Sequence, residues 1–244
     1  MDGLIFERCG NANVVITSRA GGVSLAPYDS LNVGVHVGDD ALDVQKNREL
    51  IFNELSQFGL PKTDEWIFLN QTHCDEIFDV DEKEYFQENP PTADASISRQ
   101  GTLPLVAMIA DCGPLVLSCG EVLAVVHASA KTVASNLIGK TIQKIRKLDS
   151  NSDLFALLGP CIHPENYEYK QEDLNALVDT LGGHVKGETF DGKPAFNLPA
   201  AIRYECEKNG AEFKDLGLDT YSNKEYFSYR RDGITGRQCV IAWK

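Results

Sequence analysis

Two apolar runs dominate the middle of the chain, LPLVAMIADCGPLVLSC (103–119) and VLAVVHAS (122–129). Their near-continuous hydrophobicity predicts strands buried on both faces, the first run interrupted at Gly113-Pro114. Upstream, NVVITSRAGGVS (13–24) and PYDSLNVGVHVGDD (27–40) read as short strands alternating with turns, and EWIFLNQTH (65–73) as a further strand. Asp39 or Asp40 is the expected N-cap of a helix over residues 41–58. Leu42, Ile51, Leu55 and Phe58 there sit near helical spacing, and Gly59 is the stop. A second helix is predicted from Ser129 to Leu148, with Val133, Leu137, Ile138, Ile142 and Ile145 as its buried stripe. DLFALLG (153–159) reads as a buried strand, and residues 171–181 and 198–210 as helices. EYFSYRRDGITGRQCVIAW (225–243) reads as a closing hairpin around Asp232-Gly233. The acidic stretch DVDEKEYFQENPPTAD (79–94) reads as a solvated loop. Strands and helices alternate irregularly, without a repeat or linker, which predicts one mixed α/β domain over residues 1–244.

Composition narrows the classes of function. A net charge of -13 argues against a general nucleic-acid partner but leaves room for a small anion in a local basic pocket. No stretch is long and apolar enough to span a membrane, and the opening MDGLIFERCG lacks the marks of a signal peptide, so a cytoplasmic protein is expected. Seven scattered Cys, never spaced as CxxC, suit free thiols in a reducing compartment rather than a disulfide framework.

Only five His are present, and two of them, His73 and His127, fall at the ends of predicted strands. Cys112 closes a third strand at the Gly113-Pro114 break. A lone buried Cys or strand His is commonly a packed, hydrogen-bonded core residue. Three such residues at strand ends also suit a catalytic zinc shell, with three protein ligands and one open position. A blue-copper set would add Met108, but four residues along a strand span roughly 13 Å, beyond ligating reach. Cys112 can equally be read as a thiolate nucleophile with His127 or His73 as its base, and residue types do not separate the two. HPE (163–165) lacks the PCxxC of the zinc nucleoside deaminases, so Pro164 reads as the start of a turn or helix. The Gly pair in TSRAGGVS either admits a ligand close to the backbone or makes a turn; the Lys and spacing of a P-loop are missing. SYRRDGITGR puts Arg230, Arg231 and Arg237 around the Asp-Gly turn; in the expected hairpin Arg230 and Arg231 would face opposite sides, and at least one of the three would face solvent.

Taken in order, TSRAGGVS, PYDSLNVGVHVGDD, Asn47-Arg48, QTH, ADASI, ADCGPLVL, VVHA, GPCI, YEY and FSYRRDGITGR run over nearly the whole chain. This series resembles the YfiH-like family, long labelled laccase-domain or polyphenol oxidase and regarded as purine nucleoside phosphorylases with adenosine deaminase activity. The resemblance implies a layered α/β mixed-sheet sandwich with outer helices, and a zinc held by His73, Cys112 and His127, the catalytic set. It also implies a purine nucleoside (adenosine, inosine, methylthioadenosine) and phosphate as substrates, with Arg19, Lys131 and Arg230 as candidates to bind them. Copper enters as an adventitious metal, since it outcompetes zinc at most such donor sets. A multicopper oxidase would need many more His than five. Two alternatives stay open: a Cys112-nucleophile hydrolase of cell-wall precursor amides, and a zinc- or nucleoside-binding protein without catalysis. The chain departs from the family where Ala128-Ser129-Ala130-Lys131-Thr132 replaces the usual Ala-Gly-Trp-Arg-Gly. It departs again where Asp219, not Cys, precedes Thr220-Tyr221. Both changes bear on substrate and phosphate handling rather than on the ligand set.

Overall fold

A computed structural model describes residues 3–60 and 65–244. It opens with β1 (Leu4–Cys9) and β2 (Ala12–Thr17), then α1 (Ala41–Leu55) and the short β3 (Ile77–Asp79). The central strands are β4 (Ala95–Ser98), β5 (Leu105–Ile109), β6 (Gly113–Cys119) and β7 (Val122–Ala128). Helices α2 (Ala130–Ala134) and α3 (Leu137–Leu148) follow, then β8 (Leu154–Leu158) and α4 (Gln171–Leu181). The chain ends through β9 (Lys186–Glu188), β10 (Pro194–Phe196), α5 (Leu198–Lys208), β11 (Ala211–Asp215), α6 (Tyr229–Asp232) and β12 (Gln238–Trp243).

The strands form an antiparallel four-stranded sheet, β1-β2-β12-β5, and a mixed six-stranded sheet, β11-β8-β6-β7-β4-β3. They pack face to face: Val14, Ile16, Ala107 and Val240 of the first meet Val116, Val125 and Leu157 of the second. Val15, Val106, Met108 and Ile241 on the outer face of the smaller sheet pack on Ile51 and Leu55 of α1. The outer face of the larger sheet is covered by α2, α3, α4 and α5, through Val133, Ile142, Leu174 and Ile202. The result is the expected layered sandwich with helices outside, and it explains the unbroken apolar runs: every residue of β5, β6 and β7 is buried because layers lie on both sides. Among the described residues no helix is long and apolar enough to cross a membrane.

Several elements differ from the expectation. Residues 225–243 are not a hairpin: the Ser228 side chain caps Arg231 N to start α6, and β12 pairs with β2 and β5 instead. The segment 27–40 forms turns and no strand. EWIFLNQTH is not a strand either; among the described residues its backbone forms only isolated bridges, Ile67 to Leu105 and Asn70 to Thr92. Beyond them the Gln71 side chain takes both the N–H and the C=O of Met108 in place of a backbone ladder. The helix expected over 129–148 breaks at Asn136, which adopts the left-handed conformation (φ 61°) between α2 and α3. Asp40, rather than Asp39, caps α1 by accepting from Leu42 N, and Gly59 (φ 78°) stops the turn that follows it. Ile51 and Leu55 are buried as expected, whereas Leu42 and Phe58 are exposed. Pro164 begins a single 3-10 turn, as expected.

The Gly pair of TSRAGGVS serves packing. A side chain on Gly22 would fall 2.4 Å from Asn47 Oδ1. Asn47 is wholly buried; it accepts from Val23 N and donates to Ser24 Oγ and to the Ser30 and Asn32 carbonyls, fixing the 22–33 loop on α1.

Candidate metal centre

β6 and β7 are a tight hairpin in which Pro114 lies opposite His127. Cys112, just before β6, is thereby held beside His127 near the end of β7 by local register. His73 arrives from the irregular segment after Asn70, in a left-handed conformation (φ 59°) that is costly for a non-glycine residue. The ligand atoms of His73, Cys112 and His127 all lie within 4.8 Å of one another, and the two imidazoles meet edge to face, 5.1 Å between centroids.

Asp94 sets this arrangement. One carboxylate oxygen lies 2.6 Å from His127 Nδ1, and the other accepts the amides of Thr72 (3.1 Å) and Cys74 (2.7 Å), on either side of His73. Its carbonyl also accepts His127 N. A single buried acid thus orients one histidine and clamps the backbone around the other. With Nδ1 engaged, Nε2 is the nitrogen of His127 left for an ion, the usual carboxylate–histidine–metal relay. The donors fit zinc: two imidazoles and a thiol, ranging from exposed (His73) to buried (His127). Asp94 is the final residue of the stretch expected to be a solvated acidic loop, and its side chain is fully buried. Asp79, at the other end, is also buried, paired to Lys144 at 2.9 Å.

Burial alone would lower the pKa of His127, but Cys112 and the hydrogen-bonded Asp94 outweigh it and push it up to about 9. Without metal the imidazole is therefore protonated at neutral pH, and an incoming ion must expel that proton. Metal affinity should consequently rise with pH, by roughly tenfold per unit from this group alone, until about pH 9. Calorimetric titration of metal-free protein in buffers of different ionisation enthalpy measures the released proton; heats independent of buffer would contradict the assignment.

The cluster forms one wall of a cavity of about 330 Å³, whose other walls include His36, Tyr167, Tyr229, Arg230 and Arg237. A larger open groove of about 890 Å³ lies elsewhere, along Gly10, Asn11 and Asp153, away from these donors. Asp111, next to Cys112 and at φ 103°, links the cavity walls: it accepts from Thr220 Oγ1 (2.7 Å) and from Arg230 N (2.6 Å). Of the arginines singled out in the sequence, Arg230 lines the cavity, its guanidinium over the Tyr167 ring. Arg231 instead holds the Thr220, Tyr221 and Tyr226 carbonyls. Arg19 is outside the cavity wall, bound to Asp29 and near Asp232. Lys131 is exposed in the first turn of α2 and also outside the wall. Asp219, the departure from the family pattern, accepts from His163 N, Asn166 Nδ2 and the Tyr221 and Ser222 amides, and so braces the loop before Tyr167. Sequence reasoning did not single out Asp94, His36, Tyr167 or Arg237 as site residues; they converge from segments far apart in the chain.

Thiol chemistry separates along the same lines. Five cysteines are buried, and desolvation pushes Cys9 and Cys239 up to about 12 and Cys161 well above the ordinary thiol range. Cys74 and Cys112 alone are partly exposed.

The layered sandwich and the sequence that builds it are similar to those of known proteins. The chain belongs to the family described as multi-copper polyphenol oxidoreductase laccase, whose profile matches residues 13–244. It is 32% identical over 233 residues to a purine nucleoside phosphorylase of Corynebacterium glutamicum, covering 94% of this chain and 93% of the relative. It is 33% identical over 235 residues to the purine nucleoside phosphorylase YfiH of Shigella flexneri, covering 93% and 91%. Among solved structures, a Neisseria meningitidis protein of the DUF152 family superposes with a TM-score of 0.84 at 29% identity, over 99% of both chains. YfiH of Bacillus licheniformis superposes with a TM-score of 0.88 at 23% identity, over 100% of this chain and 97% of the other, and so shows likeness of fold.

Proposed function

We propose that this chain is a zinc-dependent purine nucleoside phosphorylase with adenosine deaminase activity, acting in the cytoplasm as a single domain. The observation that carries the reading is the convergence of His73, Cys112 and His127 on one cavity, in a chain whose relatives, aligned over nine-tenths of it, are named purine nucleoside phosphorylases. Zinc held by these three residues would supply Lewis acidity and lower the pKa of a coordinated water. The protein supplies the rest. Tyr167 and Tyr229 offer aromatic surface to a purine, and Arg230, over Tyr167, adds positive charge on that side. The Gln71 clamp on β5 keeps the adjoining wall stiff. In phosphorolysis a phosphate oxygen forms a bond to C1′ of the ribose as the C1′–N9 bond breaks, and the purine leaves with the electron pair.

The test is to incubate metal-loaded protein with adenosine or inosine, with and without phosphate. Phosphate-dependent base and ribose 1-phosphate are expected from both nucleosides, and inosine from adenosine without phosphate. Absence of all these products would overturn the reading. A second reading, a cysteine hydrolase, draws on the Asp94–His127–Cys112 order, which also orients a base beside a thiol.

A further inference from the structure

Around the cavity the fixed charges do not balance. Its one carboxylate, Asp111, is committed to Thr220 and to the Arg230 amide. Arg237, by contrast, is largely desolvated, and among the described residues it pairs with no carboxylate. Its NH1 donates to the Thr235 and Gly236 carbonyls, which leaves Nε and NH2 without partners among the described residues. Those two N–H groups form the side-on fork that grips carboxylates and phosphates in two places. Cys112 and Asp111 act on this guanidinium through space without pairing to it, so an anion that filled its free fork would still lower its desolvation cost.

The fold invests in holding this side chain. Asn32, wholly buried, accepts both Arg237 N and Gly34 N with its Oδ1, and Val33 N donates to the Arg237 carbonyl. Asn32 is itself tied to Asn47 on α1. Gly34 provides the channel for the arginine stem, since a Cβ there would fall 2.9 Å from Arg237 Cγ. Two residues on, the same loop delivers His36 to the cavity mouth, where desolvation first and the charge of Arg237 second hold its pKa below the ordinary value. Arg237 and His36 thus share the cavity with no carboxylate bonded to either side chain among the described residues, in a chain that is acidic overall.

We infer that Arg237 and His36 form an oxyanion subsite for inorganic phosphate, the nucleophile of the phosphorolysis proposed above, with Arg230 on the neighbouring wall. The inference rests on that functional reading for the reaction, but not for the binding. The fork of Arg237 takes two phosphate oxygens and His36 donates to a third from either tautomer. Lys131, outside the wall, takes no part.

The experiment has a binding arm and a kinetic arm, both on the metal-loaded protein. Calorimetric titration with inorganic phosphate alone should show binding that Arg237→Gln abolishes and Arg237→Lys restores in part. In steady-state phosphorolysis, Arg237→Gln should raise the KM for phosphate about tenfold to a hundredfold, with the nucleoside KM within about twofold. His36→Gln, at the exposed mouth, should raise the phosphate KM by a smaller factor and stands in should Arg237→Gln fail to fold. An unchanged phosphate KM in both variants, or a rise with Lys131→Ala but not with Arg237→Gln, would overturn the subsite. Binding of adenosine 5′-monophosphate through Arg237 without binding of inorganic phosphate would also overturn it, by giving the cradle to a nucleotide's own phosphate. Wild-type protein that binds phosphate through Arg237 yet releases no base would instead sink the functional reading and leave the subsite standing.

Discussion

Cys112→Ala is expected to lose nearly all bound metal, from about one ion per chain, and to lower phosphorolysis by about a thousandfold or more. Three protein ligands are the fewest that hold a catalytic zinc, and the thiolate is the only anionic one here. Two neutral imidazoles alone leave a dication half-bound. The fold should survive the change, because Cys112 lies between β5 and β6 and is only partly buried. Metal analysis of the purified variant, with thermal unfolding as a check on integrity, decides the matter. Full metal occupancy in the variant would remove Cys112 from the ligand set, and lost activity with metal retained would make it the nucleophile.

Asp94→Asn should weaken metal binding by about tenfold to a hundredfold while the protein stays folded. The carboxylate accepts three hydrogen bonds, two of them from amides beside His73 and the third involving His127 Nδ1. An amide has only one accepting oxygen. If that oxygen keeps the Thr72 and Cys74 amides, the NH2 group faces Nδ1, and the imidazole moves its proton to Nε2, the nitrogen the ion needs. If the amide flips, the part-buried Thr72 and Cys74 amides lose their acceptor, and the strained loop at His73 is released. Either way affinity falls, and the pKa of His127 falls with it. Competition with a chromogenic chelator measures the first effect and NMR titration of the metal-free imidazole the second. Wild-type affinity in the variant would show that the clamp is dispensable.

Much of this site was legible because strand ends are where side chains of buried runs emerge. Cys112 and His127 interrupt apolar stretches at break points, and a thiol or an imidazole there draws the eye. The helix over 41–55 was legible from its cap and its stop. Asp94 was not, since an acid in an acidic stretch reads as solvated; only contact with His127 and two amides justifies burying it. Arg237 was read only as one of three arginines around the expected turn, for another reason. Its neighbours Asn32 and Gly34 lie some two hundred positions away along the chain, and local periodicity carries no trace of such a meeting. The closing segment misled through its Asp-Gly pair: a local turn signal was present, but Ser228 turned it into a helical cap, and the partners of β12 lay elsewhere.

The division among the thiols has a practical side. With five cysteines sealed in the layers, a soluble electrophile meets only Cys74 and Cys112, one beside a candidate ligand and the other a candidate ligand itself. The protein thus carries a native reporter of its own occupancy. A fluorophore placed by simple alkylation would land at the candidate metal centre, and the rate of that labelling would read how tightly this cluster is closed, without any engineered handle.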